Sequence, residues 1–459
     1  MDDRRQKIQL ELALVPESTG EASRLGSRGT ESFAAEHDTE SLAEEQLMEQ
    51  VCERENLKRA LARVKSNKGC PGVDGMSVTE LPGYLKVHWP QIRERLLAGQ
   101  YIPQPALRVE IDKPGSTEKR KLGIPCVLDR FIEQALLQVL EPIFEPTFSE
   151  SSYAFRPGRS AHQAVALAQS YIAQGYVWVA DLDLEKFFDR VNHDILMSRV
   201  AKHVSDKRVL GLIRRYLEAG VLVGGLVEAT EEGTPQGGPL SPLLSNIMLT
   251  DLDRELERRG HRFVRYADDC NTYVKSERAA QRVKVSITRF LATRLKLKVN
   301  EAKSAVAQPG QRKFLGFSFT RAARRRIAPQ ALLRFKQRIR ELTFRNQGRA
   351  LGEVIERLAP YLRGWRGYFG FCETPTVLLA LDQWIRRRLR SLVWKQWKRG
   401  RRRYAQLVAR GVDRALAAKT AGCPHGPWRV AESPALHIAL PNAYFVTLGL
   451  PSLYAAPTA

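Results

Sequence analysis

The chain has 459 residues, of which 43% are hydrophobic, enough for two or three domains with a sizeable core. It carries 73 Lys and Arg residues against 50 acidic residues, and the formal net charge of +23 attracts polyanions. No apolar run approaches the roughly 20 residues that a membrane helix needs, and the amino terminus lacks a secretory signal. We therefore expect a soluble, intracellular protein that binds nucleic acid, with an anionic membrane surface as the weaker alternative.

The charge is distributed unevenly along the chain. Residues 1–50 hold 12 acidic and 5 basic side chains and few aromatic ones, so we predict a mostly disordered leader over residues 1–46. Residues 321–403 hold 23 basic and 5 acidic side chains, which is most of the excess positive charge of the whole chain. This basic region is the predicted contact surface for a polyanion.

Local patterns along the first third predict both helices and strands. Apolar spacing predicts a helix over Glu55–Val64, which ends at the turn-rich residues Asn67–Gly75. Short strands are predicted at Val109–Ile111 and Leu122–Pro125, and a helix over Phe131–Ile143.

Two acidic elements follow. The apolar run Tyr176–Asp183 predicts a strand that ends in Asp181 and Asp183, which share a face if the strand continues through both. Farther on, Tyr266–Asp269 places two adjacent carboxylates on a turn between two predicted strands. Such a pair is usually a solvated turn, but a second strand ending in Asp beside it matches the layout of a two-metal nucleotidyl transferase.

The glycine-rich segment Gly233–Pro242 lies between the two acidic elements. Its glycines allow the backbone to approach a base pair closely. It ends in a predicted helix start, with Ser241 as the N-cap and Pro242 at the first position. Taken alone, the segment could be an ordinary loop that enters a buried helix.

The order of these motifs resembles that of the reverse transcriptases encoded by bacterial group II introns, the intron maturases. The resemblance runs from about residue 47 to the carboxyl end and rests on the following segments: 67–75, Lys113 with 120–125, 152–160, 183–189, 235–242, 266–269, 300–303 and 314–317. It implies an α+β right-hand polymerase of fingers, palm and thumb, followed by a C-terminal α-helical maturase region.

The resemblance also implies a division of the chain. Residues 47–320 are expected to form fingers and palm, residues 321–405 the thumb and maturase region, and residues 406–459 a small tail that binds nucleic acid. Many relatives continue into a DNA endonuclease with paired Cys and His ligands, and we expect this chain to lack that domain.

The family's metal ligands can be carried over residue by residue. Asp183 and Asp268 are expected to bind two Mg²⁺ ions, with Mn²⁺ as a substitute, and Asp269 to complete the acidic cluster. The main-chain carbonyl of Leu184 is a further expected ligand. For Asp181 the resemblance leaves open whether it has a catalytic role.

The nucleotide site is carried over in the same way. Lys113 and Arg120 are expected to hold the triphosphate, and the bidentate guanidinium makes Arg120 the better candidate. Gln236 is expected to contact the nucleotide. Phe188, five residues after Asp183, is expected to pack beneath the sugar and to favour deoxynucleotides, unless it is simply a core residue beside Phe187.

The remaining expected sites contact template or intron RNA. Arg156 and Arg159 lie among aromatic residues, a mixture that suits a template strand and equally a buried cluster with surface arginines. In the basic region the expected RNA-binding residues are Arg363, Arg386, Arg387, Arg388, Lys395 and Lys398.

The implied activity is RNA-directed DNA synthesis together with splicing and retrohoming of a host group II intron. The implied partners are the intron RNA, an RNA template with a DNA primer, dNTPs and target DNA, with no membrane; a second copy of the chain is a further candidate. The implied location is the bacterial cytoplasm, with association to the nucleoid during insertion. Two alternatives remain: a reverse transcriptase of a retron, diversity-generating or CRISPR-associated system, and a maturase that only supports splicing.

Overall fold

The computed structural model describes residues 46–112, 119–346 and 348–454. The predicted leader therefore lies outside the described residues except for Gln46, and so does Lys113. Four helices open the described chain: α1 (Leu47–Val51), α2 (Arg54–Asn67), α3 (Leu81–Leu97) and α4 (Val127–Phe144). The central helix α4 buries Phe131, Ile132, Leu136 and Leu140 against its neighbours, which agrees with the predicted helical spacing.

The first sheet in the described residues has four strands. Strands β1 (Ala106–Asp112) and β2 (Lys119–Ile124) pair antiparallel, with Ile111 opposite Arg120. Strand β4 (Val221–Val223) pairs parallel to β1 and antiparallel to β5 (Leu226–Glu228), giving the order β2-β1-β4-β5.

The second sheet in the described residues also has four strands. Its strands are β3 (Trp178–Leu182), β6 (Arg262–Tyr266), β7 (Asp269–Val274) and β8 (Ala305–Ala307), all antiparallel in the order β6-β7-β3-β8. Alternate residues of β3 face opposite sides of the sheet, as the two-residue period of a strand requires. Val179 packs with helix α5 (Ala161–Ala173), whereas Ala180 and Leu182 belong to the core that also holds α8 (Ser241–Arg258) and α9 (Glu277–Phe290).

Two smaller helices follow β3 in the chain, and a hairpin leads to the helical region. The helices are α6 (His193–Val200) and α7 (Lys207–Glu218), and the hairpin strands are β9 (Phe317–Phe319) and β10 (Arg325–Ile327). The hairpin packs on the aromatic carboxyl end of the helix Leu351–Phe369. There the Tyr368 hydroxyl donates to the Leu315 carbonyl at 2.7 Å.

The carboxyl-terminal region is helical. Its helices are α10 (Pro329–Leu342), α11 (Leu351–Phe369), α12 (Pro375–Gln396), α13 (Gly400–Val408), α14 (Arg414–Ala421), α15 (Pro427–Val430), α16 (Pro434–Ala439) and α17 (Asn442–Thr447). One apolar core runs from Ile327 to Leu453, so the expected division between residues 405 and 406 falls inside a continuous core. The predicted α+β polymerase with a C-terminal helical region is confirmed. In the described part of the chain, no helix is both long and apolar enough to cross a membrane.

Candidate active site

The acidic turn lies at the tip of the β6–β7 hairpin. Tyr266 pairs with Asp269, so Ala267 and Asp268 form the two central residues of the turn. Ala267 has φ = 56°, a left-handed conformation that an alanine seldom adopts without support from its surroundings. Asp268 is therefore presented on a short turn whose backbone conformation must be held by neighbouring groups.

Arg265 supplies that support from below the turn. Its guanidinium donates from Nε and Nη2 to the Asp253 carboxylate at 2.7 and 2.6 Å, and both side chains are 0% exposed. Nη1 donates to the Ala267 carbonyl at 3.0 Å and to Asn246 Oδ1 at 3.1 Å. No sequence pattern indicates this network, because nothing in the sequence pairs Arg265 with an acid 12 positions earlier on a helix.

Asp183 comes directly after β3, which ends at Leu182 rather than continuing through both acids. Its amide donates to Ser304 Oγ at 2.9 Å, and its carbonyl accepts from the Asn300 amide at 2.8 Å. Leu184 forms an isolated bridge with Val299, and no described residue donates to the Leu184 carbonyl. The backbone on both sides of Asp183 is thus held by residues 299–304, while one carbonyl oxygen is left open.

One cavity of about 1270 Å³ brings the predicted catalytic residues together. Its lining includes the expected metal and nucleotide residues Asp183, Leu184, Phe188, Arg120, Gln236, Asp268 and Asp269. Arg120 lies on β2 across the cavity and is exposed. Its positive charge acts to lower the pKa of Asp268. Residues separated by up to 149 positions in the sequence therefore meet at one site.

The carboxylates of this cavity repel one another. Burial, with the charges of Asp268, Asp181 and Asp183, raises the pKa of Asp269 to about 7. Burial and Asp183 also raise the pKa of Asp268, partly opposed by Arg120 and Lys303. Lys303 Nζ lies 3.7 Å from Asp183 Oδ2. Close carboxylates with little compensating charge are the electrostatic setting that a divalent cation relieves.

The donor set fits Mg²⁺ in the manner of a site shared with substrate. In the described part of the chain, no group of three or more His, Cys, Asp or Glu side chains is arranged to hold a metal ion unaided. Mg²⁺ is commonly held by one or two carboxylates together with substrate phosphates, rather than by a complete protein cage. Asp183, Asp268 and the open Leu184 carbonyl are all hard oxygen donors of that kind.

Phe188 is predicted either to contact the nucleotide sugar or to be a core residue beside Phe187. They form a short 3₁₀ turn with Asp189, and their ring centroids lie 5.2 Å apart. Both line the cavity, but Phe187 is buried in the core, whereas Phe188 is half-buried and packs against that core. Phe188 therefore contacts both the core and the cavity, and its contact with a nucleotide stays a prediction.

The glycine-rich segment forms the cavity wall beside β2. Gly123 donates its amide to the Gln236 carbonyl at 3.1 Å, and a Cβ on Gly237 would lie 2.5 Å from the Gly123 carbonyl oxygen. The predicted cap of the next helix is wrong. Leu240 occupies the N-cap position and Ser241 is the first helical residue, because the Ser241 hydroxyl donates to the Pro235 carbonyl at 2.7 Å instead of capping.

Arg156 does not face a template. Its side chain is only 2% exposed and forms a salt bridge with Glu145 at 2.8 Å. It also donates to the carbonyls of Ser149 and Ser152 at 2.5 and 2.8 Å. The prediction of template contact is therefore corrected to a structural role. Arg159 is partly exposed, pairs with Glu150 and lies over the Tyr153 ring at 5.5 Å.

Three adjacent arginines of α12 are also engaged by the protein. Arg387 pairs with Glu432, donates to the Trp428 carbonyl at 3.1 Å and lies over the Trp428 ring at 4.0 Å. Arg388 donates to Thr343 Oγ1 at 2.7 Å, and burial lowers its pKa to about 10. Arg386 lies 4.0 Å from a carboxylate oxygen of Asp382. Arg387 and Arg388 are thus held by groups outside α12, and Arg386 pairs within the same helix, so all three expected RNA-binding side chains have partners in the protein.

The other predicted RNA-binding residues lie on the surface. Arg363, Lys395 and Lys398 are exposed, and Lys395 donates to Asn346 Oδ1. Arg401 and Arg402 are exposed as well. In the described part of the chain, no side-chain hydrogen bond or ion pair is found for Arg363, Lys398, Arg401 or Arg402. These cations remain available to a polyanion.

Comparison with known families gives matches for two segments of the chain. The family described as "Reverse transcriptase (RNA-dependent DNA polymerase)" matches residues 111–319, and "Group II intron, maturase-specific domain" matches residues 332–410. The chain therefore carries a segment that matches a reverse transcriptase family and a second segment that matches a group II intron maturase-specific domain.

Among individual proteins, the chain is homologous to intron-encoded proteins. It is 39% identical to Protein YkfC of Escherichia coli (strain K12) over 211 residues, which is 45% of this chain and 55% of YkfC. It is 29% identical to the group II intron-encoded protein LtrA of Lactococcus lactis subsp. cremoris over 323 residues, which is 56% of this chain and 54% of LtrA. The chain thus spans about half the length of these relatives.

A solved structure also matches. A chain of the partial Cas6-RT-Cas1–Cas2 complex is 26% identical and covers 55% of this chain and 43% of that chain, with a TM-score of 0.35. A TM-score this low carries no argument about how the two structures correspond.

Proposed function

We propose that this chain is an RNA-directed DNA polymerase that also binds its host group II intron RNA to promote splicing and retrohoming. The observation that carries the proposal is the single cavity that joins Asp183 and Asp268 to Arg120 and Phe188. The reverse transcriptase and maturase-specific matches support both halves of the proposal.

In the proposed reaction, the protein's own residues orient the substrates. Asp183, Asp268 and the Leu184 carbonyl would hold two Mg²⁺ ions, with Mn²⁺ as a substitute. When bound, these ions activate the primer 3′-hydroxyl and neutralise charge on the leaving pyrophosphate. Arg120 holds the triphosphate through guanidinium–phosphate hydrogen bonds, a role that Lys113, outside the described residues, would share.

Phe188 gives the site its preference for deoxynucleotides. The ring lines the cavity beside Asp183 and carries no group that could hydrogen-bond a 2′-hydroxyl. Phe187 behind it is buried, which limits how far the neighbouring ring can withdraw. A ribonucleotide would therefore meet an apolar face where its extra hydroxyl needs a partner.

A primed-template assay tests the polymerase half. Wild-type protein with an RNA template, a DNA primer, dNTPs and Mg²⁺ should extend the primer, and Asp183→Asn should not. Extension by Asp183→Asn at the wild-type rate, with both proteins folded, would refute the proposed assignment of the catalytic site.

RNA binding is assigned to the exposed face of the basic region. Arg363, Lys398, Arg401 and Arg402 are exposed, and the region carries the excess positive charge. Each phosphate contact that is lost should make the slope of log K against log salt shallower by about 0.9 or less.

Charge removal at these exposed positions tests the RNA surface. Arg363→Gln combined with Lys398→Gln should weaken binding of the intron RNA and flatten its salt dependence. Arg387→Gln is the matched control, because this arginine binds Trp428 and Glu432 and its loss should lower stability first. Unchanged affinity and salt slope in the double variant would contradict the assigned surface.

A further inference from the structure

An ion pair lies beside the catalytic carboxylates without serving the metal or the nucleotide. Arg312 donates from Nε to Asp181 Oδ2 at 2.7 Å, and its Nη2 lies 2.6 Å from the same oxygen in an ion pair. The Asp181 side chain is only 13% exposed. Arg312 Nη2 also donates to the Lys303 carbonyl at 2.6 Å. One guanidinium therefore joins the palm strand β3 to the segment that follows Asn300.

The pair borders a second cavity on the other side of the acidic cluster. This cavity, of about 600 Å³, is lined by Asp181, Asp183, Asp269, Lys303 and Arg312 among others. Asp181 pairs with Asn271 and Ala305 in the sheet, so its side chain is fixed two residues before Asp183. Asp183 and Lys303 line both cavities, and the Lys303 ammonium lies 3.7 Å from the Asp183 carboxylate.

The ion pair with Arg312 determines whether Asp181 can bind a metal ion. A carboxylate whose oxygen already accepts a guanidinium hydrogen bond and lies in an ion pair with the same group is a poor ligand for another cation. Without Arg312, the same buried carboxylate would be an unpaired anion next to three others, a costly arrangement that a divalent cation would relieve. It would then compete with Asp183 and Asp268 for the ion.

We propose that Arg312 and Asp181 form a positioning pair for the metal-dependent reaction. Arg312 keeps Asp181 from acting as a metal ligand, and through the Lys303 carbonyl it holds the Lys303 segment beside Asp183. This proposal rests on the proposed polymerase function and assigns to Asp181 a role outside the metal site.

The test compares Arg312→Gln, Asp181→Asn and the double variant, each measured for Mn²⁺ binding by electron paramagnetic resonance without nucleotide and for steady-state primer extension. Arg312→Gln should bind Mn²⁺ about fivefold more tightly and lose about tenfold in kcat, with a smaller change in KM. Asp181→Asn should keep Mn²⁺ affinity within about twofold of wild type. The double variant should return to wild-type Mn²⁺ affinity while kcat recovers only in part, since the Lys303 carbonyl still lacks its donor.

Two further variants keep the test decisive. Arg312→Lys retains the charge, so Mn²⁺ affinity should stay at the wild-type value even if Arg312→Gln unfolds. Arg326→Gln is the matched control: Arg326 lines the same cavity but donates to Ser318 Oγ and the Gly310 carbonyl, and both readouts should stay within about twofold.

The outcomes separate this proposal from the polymerase function. Wild-type Mn²⁺ affinity in folded Arg312→Gln, or a fivefold weakening of Mn²⁺ binding in Asp181→Asn, would overturn the positioning pair. Failure of the wild-type protein to extend any primer would instead overturn the proposed polymerase, whatever the Mn²⁺ affinities of the variants.

Discussion

Asp253→Asn should disrupt the support beneath the catalytic turn. Asp253 and Arg265 are both 0% exposed, and the substitution leaves the buried guanidinium without its counter-charge. Removing one partner of a buried ion pair typically costs about 3–5 kcal/mol. We expect a loss of that size in the free energy of unfolding, measured by urea denaturation, and a loss of primer extension because the Arg265 hydrogen bond to Ala267 is disturbed.

A second variant separates stability from catalytic geometry. Replacing the pair by Asp253→Leu with Arg265→Met puts apolar side chains in a buried site, which is often neutral for stability. We expect most of the free energy of unfolding to return. Extension should stay low, because the Ala267 carbonyl has lost its donor and the left-handed residue, whose strain is about 1–3 kcal/mol, can relax.

The assay for this pair of variants is single-turnover extension of a primed RNA template, with urea denaturation of the same preparations. Low extension from a stable double variant would show that Arg265 positions Asp268 through the turn. Extension at the wild-type rate from the double variant would refute that reasoning.

Four other substitutions have defined outcomes. Burial raises the pKa of Glu133 to about 8 from an ordinary 4.5, so the free energy of unfolding should fall as pH rises from 4.5 to 8, and Glu133→Gln should flatten this dependence in denaturation series. Phe188→Ala should lower the ratio of deoxynucleotide to ribonucleotide incorporation about tenfold, whereas Phe187→Ala should cost about 3–5 kcal/mol of stability instead. Arg120→Ala should raise KM for dNTPs about tenfold in steady-state extension and leave RNA affinity unchanged.

The sequence was sufficient to predict the elements that carry the candidate site. A continuous apolar run located β3, and the flanking strands located the turn with Asp268. Both signals are local, since a strand and a two-residue turn depend on near neighbours. The placement of Asp183 and Asp268 in one cavity came from the order of motifs rather than from local pattern.

The sequence could not tell which cations are free. Arg156 pairs with Glu145, and Arg387 pairs with Glu432, 45 positions away. A run of arginines in a sequence is compatible both with an exposed surface and with side chains that pack between helices. Only the packing of the helices distinguishes the two. For the same reason, the support of the catalytic turn by Arg265 and the pairing of Asp181 with Arg312 emerged only in the structure.

The most direct test of the account is Asp268→Ala, assayed on one preparation for extension of a primed RNA template and for binding of the intron RNA. Asp194→Ala is the matched control, because Asp194 is an exposed aspartate outside the cavity lining. We predict that Asp268→Ala loses extension while RNA affinity stays within about twofold of wild type, since binding depends on the basic region. Retained extension, or loss of both activities in a folded protein, would contradict the division of labour between the acidic cavity and the basic region.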